Sequence, residues 1–383
     1  MTASLVLRGG QVLVDDFIDG RWDERDLWIR CGTIVDGDAP ADTPELDVEG
    51  CFVAPGLLDL QCNGAVAIDL RSEPDRLWEV SAALPRFGVT AWLPTIVTST
   101  PETIEAAQAA LHDGPPDGWR GAWPIGLHLE GPFLSPDAAG AHPVDLLRPP
   151  NLDAIADWAP ETGIVMVTMA PELPGAGPVI EELADRGVCV SVGHSQATDD
   201  QVHAAVRSGV RSVTHLFNAM SPLHHRAPGV VGAAMSDPRL RVGLIADGVH
   251  VDASVVSIAH RAVGNRLYLV SDAVATLGTL RTETTVGVRR QDGTLAGSAL
   301  GLLEAVNNLV AFATCPRNRA LAAAAKVPAA LLGDHTRGRL ATGTRGDVLV
   351  LSAGDEDGLD LDLEYTVIAG EIVHPTPWPD RPP

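Results

Sequence analysis

CVSVGHSQATDDQVHAAVRSGVRSVTHLFN, residues 189–218, holds the repeating unit of the whole central region. Its opening, CVSVGH at 189–194, has the length and apolar, β-branched character of a buried strand. A helix-like stretch follows at 198–208, and SVTHLFN at 212–218 reads as a second strand. Strand, helix and strand in succession build a parallel sheet with helices on its face.

The same alternation extends both ways. Upstream lie GLLDLQCN (56–63), TAWLPTIV (90–97), WPIGLHLE (123–130) and GIVMVTMAP (163–171). Downstream lie RVGLIADGV (241–249) and RLYLVSDA (266–273), which makes eight strands. Helical stretches at 75–86, 101–112, 178–187 and 252–263 separate most of them, and two alanine-rich helices follow at about 299–313 and 318–332. Eight strands with intervening helices predict an α/β fold, a (β/α)8 TIM-like barrel, over residues 55–334.

The two ends read differently. SLVLRGGQVLV (4–14), DLWIRCGTIVD (26–36) and ELDVEGCFV (45–53) are short apolar runs broken by glycines. GRLATGTRGDVLVLS (338–352) and LDLDLEYTVIAGEIVH (359–374) match them at the other end. We expect a small β-sandwich domain built from residues 1–54 plus 335–383, with TPWPDRPP (376–383) as a loose end.

The chain has 383 residues and an acidic balance, 50 Asp+Glu against 27 Lys+Arg, for a net charge of −23. That excess argues against nucleic acid and anionic membrane as partners, but not against a small anion held by a few local cations. Five cysteines without a CxxC pair argue against a disulfide framework or a thiolate zinc site and fit a reducing cytoplasm. No apolar run approaches a membrane span, and the N-terminus lacks the features of a signal peptide.

Side chains at the C-terminal ends of barrel strands face the active site. Here those ends carry Gln61 and Asn63, Glu130, His194, His215, His250 and Asp272. An apolar strand has no packing use for a terminal His or Glu, and five ionisable residues at one end of five strands point to a site. Glu130, His194 and His215 form an oxygen-plus-two-nitrogen set that leaves a position open for water, as a catalytic zinc or similar ion requires. Asp272 is then the general base, taking the proton of that water and returning it to the leaving nitrogen.

HLEGPFL (128–134), GAH (140–142), GHSQAT (193–198), THLFNAM (214–220), HHRAPGVVGAAM (224–235), ADGVHV (246–251), VSDA (270–273) and LAGS (295–298) together resemble the N-acetylglucosamine-6-phosphate deacetylase family of the amidohydrolase superfamily. The resemblance runs from PGLLD at 55–59 to GDVLVL at 346–351. It implies Glu130, His194 and His215 as metal ligands and Asp272 as the catalytic acid/base. It implies His250 as a contact of the sugar that polarises the acetamide carbonyl, and Asn218 with Ala219 as phosphate contacts. It further implies Ala141 and His142 as substrate contacts, Leu302 near the substrate, and a homodimer in which Arg226 reaches the neighbouring subunit's phosphate.

Binuclear relatives show HxH after the first strand, and many use a carboxylated lysine. Here the strand ends Gln61-Cys62-Asn63, and the only lysine, Lys326, lies in a late helix. One divalent ion per subunit is therefore expected, zinc ahead of iron or another transition metal. Where the family often carries a Lys-Lys pair this chain has Ala138 and Ala139, its HHREPG reads HHRAPG, and ALGLLE follows LAGS. Deacetylation of N-acetylglucosamine 6-phosphate is accordingly the first expectation. The alternatives are the same chemistry on a related N-acyl amino sugar lacking the 6-phosphate, and a non-catalytic sugar-binding barrel.

Overall fold

A computed structural model describes residues 3–14, 20–279, 287–289, 293, 295–354 and 360–375; the tail at 376–383 lies outside the described residues. Eight strands, Leu57–Cys62, Val89–Val97, Leu127–Glu130, Ile164–Met169, Cys189–Val192, Ser212–Val213, Arg241–Leu244 and Leu267–Leu269, pair in sequence order, every pair parallel. The ring is completed at its mouth. Asp272 N donates to the Gln61 carbonyl at 2.9 Å and Asn63 N to the Ala273 carbonyl at 2.7 Å. The expected barrel is thus present.

The helices Leu77–Ala83, Pro101–Asp113, Ala176–Asp185, Asp199–Ser208 and Ala253–Val263 fall where the sequence placed them. Gly229–Ser236 adds a helix between the sixth and seventh strands that its glycines and short length hid. The stretch expected as one helix at 318–332 is two, Arg317–Ala324 and Lys326–Leu331. Pro328 has no N–H to offer the Ala324 carbonyl, so the chain breaks at Ala325. Leu60, Trp92, Leu129, Val167, Val190, Val242 and Leu269 are all buried and fill the barrel and its helix layer.

Both chain ends join one eight-stranded sheet. Phe52–Pro55 pairs antiparallel with Val348–Ala353, and Leu5–Leu13 pairs antiparallel with Trp22–Arg30. A separate core of Leu7, Val12, Ile29, Val53, Val350 and Val367 lies inside this sheet region.

The strands end earlier than their apolar runs do. The sixth stops at Val213, two residues before His215, and the eighth at Leu269, three before Asp272. His194, His215 and Asp272 have φ of 48°, 26° and 47°. Left-handed backbone at non-glycine residues is costly, and it turns these side chains out of the strand direction and into the mouth of the barrel.

Candidate active site

Glu130 closes the third strand with its carboxylate buried at the barrel mouth. His215 Nε2 lies 3.0 Å from Glu130 Oε1, His194 Nε2 lies 3.3 Å from the same oxygen, and the two Nε2 atoms are 3.1 Å apart. Gly193 allows this approach, since a Cβ there would come within 2.5 Å of Thr214 Cγ2 and 2.7 Å of Thr168 Cγ2.

These three residues can hold a metal ion. His194 Nδ1 lies 2.9 Å from the Ala138 carbonyl, which accepts only, so Nδ1 carries the hydrogen and Nε2 a lone pair. A lone pair, a second imidazole nitrogen and a carboxylate oxygen, all buried and within 4.8 Å of one another, form a donor set that one cation can bridge. A mixed N/O set of this kind suits zinc, iron and their neighbours.

Gln61 links the ligand cluster to Asp272. Its Nε2 donates to Glu130 Oε1 at 2.8 Å and to Asp272 Oδ1 at 3.3 Å, and its Oε1 accepts from Thr214 Oγ1. Asn63 Nδ2 donates to the same Asp272 oxygen at 2.8 Å. One oxygen of Asp272 is therefore fixed by two amides while the carboxylate faces the cavity.

Electrostatics divides the two carboxylates. Burial would raise Glu130, but the imidazoles of His142, His194 and His215 around it more than offset this and hold it well below the usual range. The Asp272 carboxyl is pushed up to about 6, first by burial and then by the Glu130 charge. It is thus ionised but basic near neutral pH, as a proton acceptor must be. His128, two residues before Glu130, is wholly buried between the Leu60 carbonyl at 3.0 Å and Thr168 Oγ1 at 2.8 Å. Burial pushes it down to about 4, which makes it a neutral packing histidine.

A cavity of about 710 Å³ opens over this cluster, and Asn63, Glu130, Ala141, His142, His194, His215, Asn218, Ala219, His250 and Asp272 all line it. His142 Nδ1 receives the Thr98 N–H at 3.3 Å, which leaves its Nε2 to carry the hydrogen, 3.5 Å from Glu130 Oε2. Three expected site residues are not in the wall: Gln61, which reaches Glu130 and Asp272 from beneath it, Leu302 and Arg226. Leu302 is 1% exposed at the start of the helix Leu302–Ala313 and packs in the core; Leu295, Ala296 and Gly297 line the cavity instead. Arg226 stands on an exposed loop outside this chain's cavity. Among the described lining residues Arg71 is the one arginine or lysine, and the sequence reading overlooked it.

The amidohydrolase family profile matches residues 52–373, more than four-fifths of the chain. The human N-acetylglucosamine-6-phosphate deacetylase is 38% identical over 402 residues, spanning 96% of this chain and 93% of the human protein. The chain belongs to the N-acetylglucosamine-6-phosphate deacetylase family of amidohydrolases. Two solved deacetylases share its architecture. The Pasteurella multocida structure superposes with a TM-score of 0.84 at 26% identity, covering 96% of this chain and 99% of that one. An aspartate-to-alanine variant from Mycobacterium smegmatis, in complex with N-acetyl-D-glucosamine-6-phosphate, superposes at 0.81 with 30% identity, covering 97% and 99%.

In this deacetylase-family member further groups, not evident from the sequence, hold the site residues. Thr214 holds Gln61, and Glu172 accepts from Ser195 Oγ at 2.7 Å and Gln196 N at 2.6 Å, bracing the loop after His194. Asp247 holds His250, with 2.6 Å between Asp247 Oδ2 and His250 Nδ1. Asp247 stands inside the ADGVHV motif, three residues before a site histidine, and that spacing was the available signal.

Proposed function

We propose that the protein hydrolyses the acetamide of N-acetylglucosamine 6-phosphate, giving glucosamine 6-phosphate and acetate. The observation that carries this reading is the Gln61 bridge, which brings the Glu130–His194–His215 cluster and Asp272 to one point of one cavity. The human relative and the Mycobacterium smegmatis complex, with its bound sugar phosphate, support the substrate. They do not favour the sugar lacking the phosphate.

Glu130, His194 and His215 would hold one divalent ion, zinc ahead of iron or another transition metal. Such an ion supplies a water acidified toward neutrality and a Lewis acid for the amide carbonyl. Asp272 takes the proton of the attacking water and delivers it to the amide nitrogen as the C–N bond breaks. Gln61 and Asn63 keep its carboxylate in place through both transfers. His250, Ala141 and His142 bind the sugar and its acetamide, and Asn218 with Ala219 the phosphate; all five line the cavity. Leu302, buried in the core, is left out of this assignment.

Arg226, exposed and outside its own chain's cavity, would complete the partner's site in a homodimer. No helix among the described residues is long and apolar enough to cross a membrane, and all five cysteines are free. The free thiols support a cytoplasmic location.

The test is acetate release from N-acetylglucosamine with and without its 6-phosphate. Preference for the phosphorylated sugar is the expected result. Equal rates on both would overturn the phosphate assignment, and no release from either would overturn the deacetylase reading.

A further inference from the structure

Beyond the seventh strand the chain turns through Asp247, Gly248, Val249 and His250. Gly248 takes a φ of +73° there, and a Cβ would meet the Phe312 ring at 3.3 Å. Asn308 Nδ2 donates to the Ala246 carbonyl at 2.8 Å and ties the turn to the helix Leu302–Ala313. The turn is thus tied to that helix from outside as well as by its own side chains.

Asp247 divides its two oxygens between two tasks. Oδ1 accepts the backbone N–H groups of Val249 and His250 at 2.8 and 2.7 Å, and Oδ2 faces His250 Nδ1 at 2.6 Å. Both side chains are withdrawn from solvent, at 4% exposure for His250 and 0% for Asp247. A carboxylate can only accept, so Nδ1 must carry a hydrogen and Nε2 is the nitrogen left for the cavity.

We propose that Asp247 is a positioning residue of the deacetylation, fixing through its Oδ2 the ring orientation and the Nδ1–H form of His250. The proposal rests on the reading of His250 as a substrate contact. It concerns a residue that acts through another and touches no substrate itself. The same logic governs any buried carboxylate behind a working imidazole, where it selects the tautomer and holds the ring.

Asp247→Asn isolates this role. The asparagine Oδ1 can keep both backbone bonds, so the turn is retained. The NH2 group then faces His250 Nδ1 with a donor in place of an acceptor, which favours the opposite tautomer. The loss of a group that orients a working side chain typically costs roughly ten- to hundredfold. That loss is expected in kcat for the 6-phosphorylated sugar, with KM and melting temperature little changed.

The deciding measurement is a double-mutant cycle on the metal-loaded enzyme. In a His250→Asn background, Asp247→Asn should cost less than twofold, because the residue it acts through is gone. Histidine-selective 15N labelling of the wild type should show His250 protonated at Nδ1, with the resonance assigned by its loss in His250→Asn. Equal costs in both backgrounds would make Asp247 merely structural and overturn the proposal. An Nδ1 without hydrogen in the wild type would overturn it as well, whether or not the variants fold. If the wild type releases no acetate, the functional reading fails, while the 15N measurement still decides the tautomer.

Discussion

Asp272→Asn isolates the proposed role of Asp272 as the base. In the native protein, Asp272 Oδ1 accepts from Asn63 Nδ2 at 2.8 Å and Gln61 Nε2 at 3.3 Å. Both partners are amide donors, so an asparagine must keep its carbonyl oxygen toward them and turn its NH2 to the cavity. The reversed amide would set three donor groups against one another. The substitution therefore holds the shape and the two bonds and changes one acceptor into a donor where the water must lose its proton. General acid/base catalysis contributes about 10²–10⁴-fold, or ~2.7–5.4 kcal/mol at 1.36 kcal/mol per decade. Stability should not fall. Burial raises the native carboxyl to about 6, so its charged form is disfavoured by folding and a neutral amide removes that cost. The assay is acetate release at saturating N-acetylglucosamine 6-phosphate, run beside elemental analysis and a melting curve on each preparation. The expected variant keeps its metal and melting temperature and turns over at 1% of the wild-type rate or less, the ~10²-fold bound. More than a tenth of the wild-type rate with the ion bound would refute Asp272 as the base.

Three further outcomes follow from the same geometry. The purified protein should carry about one divalent ion per subunit, and Glu130→Ala or His194→Ala should lose both the ion and the activity, because three ligands leave none to spare; elemental analysis showing two ions per chain would overturn this. Arg226→Ala should raise KM for the phosphorylated sugar roughly ten- to hundredfold, as a charged hydrogen bond worth ~1.5–3 kcal/mol requires, and leave the unphosphorylated sugar little affected; equal losses on both would make Arg226 structural. Asp59 is buried beneath the site, where its Oδ1 accepts from Gln61 N and Ser271 N, and burial pushes its carboxyl up to about 7. A folded value raised above the unfolded one contributes stability that is whole below the unfolded value and lost as pH rises toward 7. Asp59→Asn, which keeps the acceptor without the charge, should then gain melting temperature over the wild type at pH 8 and not at pH 4; a gain independent of pH would contradict this.

The barrel was legible because its strands are buried on both faces, so that runs such as GIVMVTMAP stand out against helical stretches between them. The Glu130–His194–His215 cluster was legible for a related reason. His194 and His215 sit at the ends of apolar runs, where packing gives no reason for a histidine. What the sequence hid was backbone conformation. CVSVGH and SVTHLFN read as strands through to their histidines, yet the ladders stop at Val192 and Val213 and the chain enters left-handed geometry at His194 and His215. A pattern of apolar residues records which side chains are buried, not the φ angle that turns one of them aside.

The supporting groups were hidden for a different reason. Thr214, Glu172 and Asp247 act through hydrogen bonds to residues near in sequence or far from them, and a lone Thr, Glu or Asp leaves no periodic trace. Leu302 shows the converse error. Position after the LAGS motif placed it near the substrate, but it is an apolar residue at the start of an amphipathic helix and turns inward to the core. Cavity contact at that point passes to Leu295–Gly297, where Gly297 holds a φ of +90° beside the Asp272 carbonyl, 2.8 Å from where a Cβ would stand. Ser298 N donates to that carbonyl at 2.9 Å. The strand Leu295–Ser298 thus lies against the backbone of Asp272, and its small residues are what let it line the cavity while it does so.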